Sequence, residues 1–330
     1  ADGMGGHSGG DIASALALRT VRDELDRRRA HLERARQEAS QAAFQAVQRE
    51  LEISINVACS SIFQRAEGEG KRGMGTTLSL LLMVGSKAVM AHVGDSRVYM
   101  SRRRVLHQLS EDHSYLREQV KKGFMTEEEA SRSRFSNVIT RAVGITETVQ
   151  VDTLLLDVVP GDVFLLCSDG LHGSVKDPEE LAQVLHGGRT DEAATRLVDV
   201  ANARGGRDNI TCVVVRVPGS DDDPSTLDVL ERIDVLRDVS LFKHLTYKEL
   251  VIVLNETQQR TVEAGDLIIG EGSEAEEFFV ILEGEVEVSK GGHTLTHLGP
   301  RVHFGEMALV DRSPRSASVR ARMTTRLLAL

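Results

Sequence analysis

Asp2 leads a glycine-rich stretch, Asp2-Gly3-Met4-Gly5-Gly6-His7-Ser8-Gly9-Gly10, which sets one hard anion on a backbone able to approach a ligand closely. Asp169 follows the apolar run Val163-Phe164-Leu165-Leu166-Cys167 and precedes Gly170, where a buried strand ends and its loop can present a carboxylate. Asp208, in Arg207-Asp208-Asn209, lies after Gly205-Gly206 and just ahead of another strand-like run. Aspartates at such junctions suit Mg2+ or Mn2+, which prefer oxygen ligands and keep waters. The same residues also read as ordinary turn caps. His7 sits in the first loop, where an imidazole can donate a proton or simply face solvent. Far along the chain, Phe304-Gly305-Glu306-Met307-Ala308-Leu309 is followed by Pro314-Arg315-Ser316-Ala317. Backbone N–H groups at a helix start and the Arg315 guanidinium can both bind phosphate oxygens, and Glu306 can accept from a ribose hydroxyl. A Glu–Arg surface pair accounts for those residue types equally well.

The elements that must position these residues follow from periodicity. Leu18, Val21 and Leu25, then Phe44, Val47, Leu51, Ile55 and Ile62, recur at helical spacing and predict two long amphipathic helices. Strands are predicted at 76–84, 87–93, 98–100 and 105–109, joined by short turns into one antiparallel meander. Short helices are expected over 114–135, strands at 149–156, 163–167 and 210–217, and helices at 179–185 and 192–203. Strands flanked by helices predict a layered α+β domain over 1–217. Residues 218–226 contain Asp221-Asp222-Asp223 between two prolines and read as a linker. Helical segments over 227–254 and then short strands with glycine turns predict a β-barrel or jelly roll behind helices, over 227–330.

Composition narrows the function. The 330 residues suffice for two domains. A net charge of -10 argues against a nucleic-acid partner, because phosphate contacts need clustered Lys and Arg. The triplets Arg27-Arg28-Arg29 and Arg102-Arg103-Arg104 read as solvated faces or turns. The run Leu78 to Val84 falls far short of the roughly 20 residues a membrane helix needs, so no membrane partner is expected. Cys59, Cys167 and Cys212 lack metal-ligand spacing and read as reduced core thiols. Both ends look truncated: the chain starts at Ala1 and stops in a strand-like run at Leu330.

Seven stretches resemble, in order, the motifs of the bacterial metal-dependent serine/threonine phosphatases of the PPM (PP2C) family. They are Asp2 to Gly10, Gly75-Thr76-Thr77, Val93-Gly94-Asp95-Ser96-Arg97, Ser110-Glu111-Asp112-His113-Ser114, Thr140-Arg141-Ala142-Val143-Gly144, Cys167-Ser168-Asp169-Gly170-Leu171 and Arg207-Asp208-Asn209-Ile210-Thr211. The resemblance implies a four-layer α-β-β-α sandwich with a binuclear metal centre at one end of its paired sheets. It implies that Asp2 bridges two Mn2+ or Mg2+ ions, that the Gly3 carbonyl binds one, and that Asp169 and Asp208 bind the other. Asp112 resembles an aspartate that helps hold a third, weaker metal. The activity implied is hydrolysis of phosphorylated Ser/Thr proteins by metal-activated water. Many relatives carry His directly after the Asp-Gly pair; Met4 stands here and cannot donate a proton, which leaves His7 or water. The family's first strand, with a phosphate-binding Arg and another carboxylate, is expected to be missing. Residues 123–135 correspond to the family's variable flap.

The later segment resembles the phosphate-binding cassette of cyclic nucleotide-binding domains, and Gly265-Asp266, Gly270-Glu271-Gly272 and Phe279 to Gly284 match the turns and strands before it. This implies that Gly305, Glu306, Met307, Ala308, Arg315 and Ser316 line a site for cAMP or cGMP. Glu306 would meet the 2'-hydroxyl and Arg315 the exocyclic phosphate oxygens. A C-terminal lid helix is expected to be missing. Together the resemblances imply a cytoplasmic phosphatase modulated by cyclic nucleotide. The alternative is a non-catalytic cyclic nucleotide sensor that uses the phosphatase fold as a binding scaffold.

Overall fold

The computed structural model describes residues 1–4, 9–133, 135, 138–219, 224–274, 277–306 and 313–330. The chain divides into two compact units, Ala1–Asp221 and Asp222–Leu330. Among the described residues, no helix is long and apolar enough to cross a membrane.

The first unit begins with β1 (Gly3–Met4), α1 (Gly10–Arg27), α2 (Arg29–Glu38) and α3 (Gln41–Gly68). On α3, Phe44, Val47, Leu51, Ile55, Ala58 and Ile62 recur every three or four residues and are all buried, so one stripe faces the core. The Ser40 hydroxyl caps its start by accepting from Ala43 N at 3.2 Å. Helix α2 lies outside the predicted elements. Only its Ala35 is buried, so it carries little apolar period, and Arg34 pairs with Glu38 at 2.6 Å along its exposed side.

Next come β2 (Gly75–Thr76), β3 (Leu78–Val84), β4 (Lys87–Val93), β5 (Arg97–Arg102) and β6 (Val105–Gln108). Short helices α4 (Tyr115–Lys121) and α5 (Glu127–Ser131) precede β7 (Asp152–Asp157) and β8 (Val163–Cys167). The unit closes with α6 (Asp169–His172), α7 (Pro178–His186), α8 (Thr190–Ala203) and β9 (Cys212–Arg216). One antiparallel sheet has the order β3-β4-β7, and a second has the order β6-β5-β8-β9. The predicted meander is therefore two hairpins in different sheets. The chain changes sheet after β4 at Gly94, whose φ of 111° and close approach to Thr77 leave no room for a side chain: a Cβ would stand 2.6 Å from Thr77 Cγ2.

Alternation along the strands builds the layers. Val89, Ala91 and Val93 of β4 join α1 and α3 in one core, while Ala88, Met90 and His92 are buried on the opposite face. Val163, Leu165 and Cys167 of β8 pack with Leu181, Leu185, Leu197 and Ala201 of α7 and α8, and Phe164 is buried on the other side. This is the α-β-β-α sandwich, and burial on both faces explains the near-continuous apolar runs. The second arginine triplet splits. Arg103 and Arg104, at φ 50° and 63°, form the tight hairpin turn between β5 and β6. Arg102 is not solvated: it is 4% exposed and meets Asp162, itself wholly buried, at 2.6 Å.

The second unit has α9 (Pro224–Asp238) and α10 (Tyr247–Glu256), then β10 (Gln258–Val262), β11 (Leu267–Ile269), β12 (Phe279–Glu283) and β13 (Val286–Lys290). It continues with β14 (His293–Leu298), β15 (His303–Phe304), β16 (Ser318–Ala321) and β17 (Thr325–Ala329). Helix α9 starts inside the stretch read as linker, with proline in its first turn, where the missing N–H costs nothing. Two four-stranded sheets, β10-β17-β12-β15 and β11-β16-β13-β14, bury Ile281, Val286, Leu327 and Phe304 between them.

Candidate functional site

Strand β1 delivers Asp2. Its main chain is held from both sides: Asp2 N donates to Thr77 Oγ1 at 2.9 Å, and Thr77 N donates to Asp2 O at 2.8 Å. Gly3 and Gly10 lie back to back, and a Cβ on Gly3 would stand 2.0 Å from Gly10 O. Only glycine lets the start of α1 close on this segment. Thr77 Oγ1 also meets Ser96 Oγ at 2.8 Å, which links Asp2 to the loop that carries Asp95.

Asp169 stands where β8 gives way to α6. Gly170 beside it must be glycine, since a Cβ would reach within 2.5 Å of Asn209 O. Ser168 fastens the two loops: its hydroxyl donates to Asn209 O and accepts from Thr211 N, both at 3.0 Å. Asp208 is thereby held beside Asp169, exposed to solvent. The third loop is tied in by His172 of α6, whose Nε2 donates to Asp95 O at 3.0 Å.

These carboxylates act on one another. Burial first, then Asp169 and Asp208, push Asp2 up to about 6. Burial, then Asp169 and Asp112, push Asp95 up to about 7. Asp169 is raised as well, by burial and by Asp208, and its Oδ1 is buried with no hydrogen-bond partner among the described residues. Among the described residues, no three His, Cys, Asp or Glu side chains are already gathered to metal-holding distance. A cation still fits: an orphaned carboxylate oxygen and mutually repelling acids are what a divalent ion compensates. Asp95 was missed in the sequence reading as a site residue. The signal was its place between Gly94 and Ser96, directly after a buried strand. Asp112 is near enough to raise Asp95, and Arg97 holds both of its oxygens, through Nε at 2.9 Å and Nη2 at 2.7 Å. His7 lies outside the described residues. Behind the site, His92 is fully buried between Ser79 Oγ at 2.9 Å and Gly94 O at 3.0 Å.

In the second unit Arg315 is 7% exposed, and Nη1 donates to Gly305 O at 2.8 Å. Its Nη2 donates to Glu277 O. The Glu277 carboxylate pairs with Arg260 at 2.8 Å instead, so burial lowers the Arg315 pKa with only distant compensation. Gly305, at φ 90°, cannot carry a side chain, because a Cβ would stand 2.8 Å from Arg315 Nη1. Glu306 is half-buried and Ser316 exposed. Met307 and Ala308 lie outside the described residues.

Residues 1–202 match the protein phosphatase 2C family. The chain belongs to that family. Residues 259–330 match the cyclic nucleotide-binding domain. The serine/threonine phosphatase stp of Listeria monocytogenes is 38% identical over 217 residues, which cover 65% of this chain and 82% of that protein. Protein phosphatase PhpP of Streptococcus pneumoniae is 34% identical over 226 residues, 67% of this chain and 85% of its own. The solved serine/threonine phosphatase PstP/Ppp of Mycobacterium tuberculosis is 33% identical with a TM-score of 0.57, covering 66% of this chain and 86% of that one. A catalytic domain of PstP in complex with two manganese ions aligns with a TM-score of 0.54 at 32% identity, over 66% of this chain and 85% of that one. This 2C-type chain is a protein serine/threonine phosphatase with a C-terminal cyclic nucleotide-binding domain, and the non-catalytic scaffold reading is not favoured. Phosphatases of this family use Mn2+ or Mg2+, and their substrates are phosphoproteins.

Proposed function

We propose that Asp2, Asp169, Asp208 and the Gly3 carbonyl hold two Mn2+ or Mg2+ ions in this phosphatase, with Asp95 rather than Asp112 as the further carboxylate at the centre. The observation that carries this is the buried Asp169 Oδ1, without a partner among the described residues, beside Asp2 and Asp95, which burial and then Asp169 push up. Bound metal would supply charge neutralisation at the phosphoryl group and activation of water. The chain's own residues do the holding. Thr77 pins Asp2, Ser168 pins the Asp208 loop, and His172 pins the main chain of Asp95. Met4 donates no proton, so proton delivery to the leaving group falls to His7 or water. The substrates are proteins phosphorylated on Ser or Thr. The three free cysteines suit residence in the cytoplasm. The test is Mn2+-dependent phosphopeptide hydrolysis with Asp169→Ala as control. Activity that survives the substitution refutes the metal-site assignment.

Modulation by cyclic nucleotide is proposed on Arg315, a buried guanidinium whose hydrogen bonds run to main-chain carbonyls and which, among the described residues, forms no carboxylate ion pair. A cyclic phosphate supplies the anion, and the half-buried Glu306 accepts from the ribose. Phosphopeptide rates with and without cAMP or cGMP, in the unaltered protein and in Arg315→Ala, test it. Equal rates throughout would remove the regulatory reading, since an effector must bind two states unequally.

A further inference from the structure

Cys167 and Cys212 face each other as direct cross-strand partners at the ends of β8 and β9. Main-chain bonds from Val217 N to Asp162 O at 2.8 Å and from Ser168 N to Thr211 O at 3.0 Å place the hydrogen-bonded pairs of this ladder at the even-numbered residues of β8. Cys167 and Cys212 are therefore a non-hydrogen-bonded pair, in which facing Cα atoms stand about 4.5 Å apart and side chains are closest. Disulfides bridge Cα separations of about 4.4 to 6.8 Å and most often about 5.5 to 6 Å, so this pair is within reach and closing it spreads the two strand ends. Both side chains lie on the face packed against α7 and α8, with Cys167 buried and Cys212 half-buried. Cys59 belongs to the other core, its thiol donating to Thr146 O at 3.1 Å.

The position matters more than the proximity. Cys167 is two residues before Asp169 and Cys212 four after Asp208, with the Ser168 clamp on Asn209 and Thr211 between them. We propose that a hydroperoxide converts Cys167 and Cys212 into a reversible cross-strand disulfide that displaces the Asp169 and Asp208 segments and lowers phosphatase activity. The half-buried Cys212 sulfur attacks a peroxide oxygen, which breaks the O–O bond and yields a sulfenic acid and one water from hydrogen peroxide, or one alcohol from an organic hydroperoxide. The Cys167 sulfur then bonds to the Cys212 sulfur, and hydroxide leaves with the thiol proton as water. Two thiols are oxidised by one electron each, and the peroxide accepts both. A bridge at the short end of the allowed span is strained and easily reduced, as a switch requires.

The effect on activity rests on the phosphatase reading; the bond does not. The full chain is freed of metal with chelator, treated with hydrogen peroxide, desalted and supplied with Mn2+. The intact mass is expected to fall by two hydrogens, and a peptide linking Cys167 to Cys212 to appear in a non-reducing digest. Phosphopeptide hydrolysis is expected to drop at least about ten-fold, since a small misplacement of reacting groups is costly, and dithiothreitol to restore it. Cys212→Val should keep its reduced activity and ignore the oxidant, with Cys167→Ala as a second variant and Cys59→Ser responding like the unaltered protein. Absence of the linked peptide, a linked protein of full activity, or equal inactivation of both Cys212→Val and Cys167→Ala would each overturn the proposal. A reduced protein without any activity would fail the phosphatase reading, while mass and peptide would still decide the bond.

Discussion

In the first unit burial and neighbouring carboxylates raise Asp2, Asp95 and Asp169 around an oxygen that has no partner among the described residues, whereas in the second unit Arg315 is a buried cation resting on main-chain carbonyls. One region carries surplus negative charge and the other surplus positive charge. Each surplus is held by glycines that permit close approach and by hydrogen bonds to the main chain, not by opposite charges. The Arg102–Asp162 pair shows the contrast, because there burial and compensation occur together. A buried charge that is matched serves the fold; one left unmatched is kept for a ligand.

The sharpest break of this comparison is Asp169→Asn. Mn2+-dependent kcat/KM should fall at least about a thousand-fold, equivalent to about 4 kcal/mol of transition-state stabilisation. The metal-free Tm should stay level or rise, because a repelling charge has gone. A clear drop in that Tm would show the cluster to be structural. Asp162→Ala should act the opposite way. Leaving Arg102 buried alone should cost about 3–5 kcal/mol in urea unfolding, with no specific loss of Mn2+ affinity.

Protons probe a third case, a buried group kept uncharged. Burial first and His113 second hold His92 at about 4 instead of 6.5. The unfolded chain takes up the proton first, so this contribution is whole above pH 6.5 and is lost as pH falls toward 4. The His92 share of stability should decline by up to about 1.4 kcal/mol per pH unit in that window, read as the difference in slope between the unaltered protein and His92→Gln, because Asp2 and Asp95, pushed up to about 6 and 7, act with the opposite sign. An unchanged slope in the variant would assign the acid sensitivity to other groups. The smallest effect is expected from Arg315→Gln: calorimetry should show cyclic nucleotide binding weakened about ten- to hundred-fold, the worth of charged hydrogen bonds. Undiminished binding would place the phosphate elsewhere.

Much of the fold is written in period-2 and helical spacing. Strands β4 and β8 fall where alternation and apolar runs predict them, at Lys87–Val93 and Val163–Cys167. Helix α2 escaped because ten mostly charged residues carry too little apolar period. The change of sheet at Gly94 escaped because short turns look alike whether or not their strands pair. At the proposed metal centre, aspartates at strand ends were visible, but Asp95 was given no role, and the pairing of Asp112 with Arg97 was not foreseen. That arginine pairs with a residue fifteen positions away, which spacing alone does not reveal.

The clamp between Asp2 and Thr77, and that between Ser168 and Asn209, have a consequence for synthesis. Asp2 leaves the ribosome roughly two hundred residues before Asp208, an interval of about 10–40 s at ordinary rates of translation. Every chain that ends before Asp208 lacks one of the proposed ligand-bearing loops. A phosphatase assembled this way cannot act on its neighbours until the whole catalytic unit has been made, so ribosome-bound fragments are silent by construction.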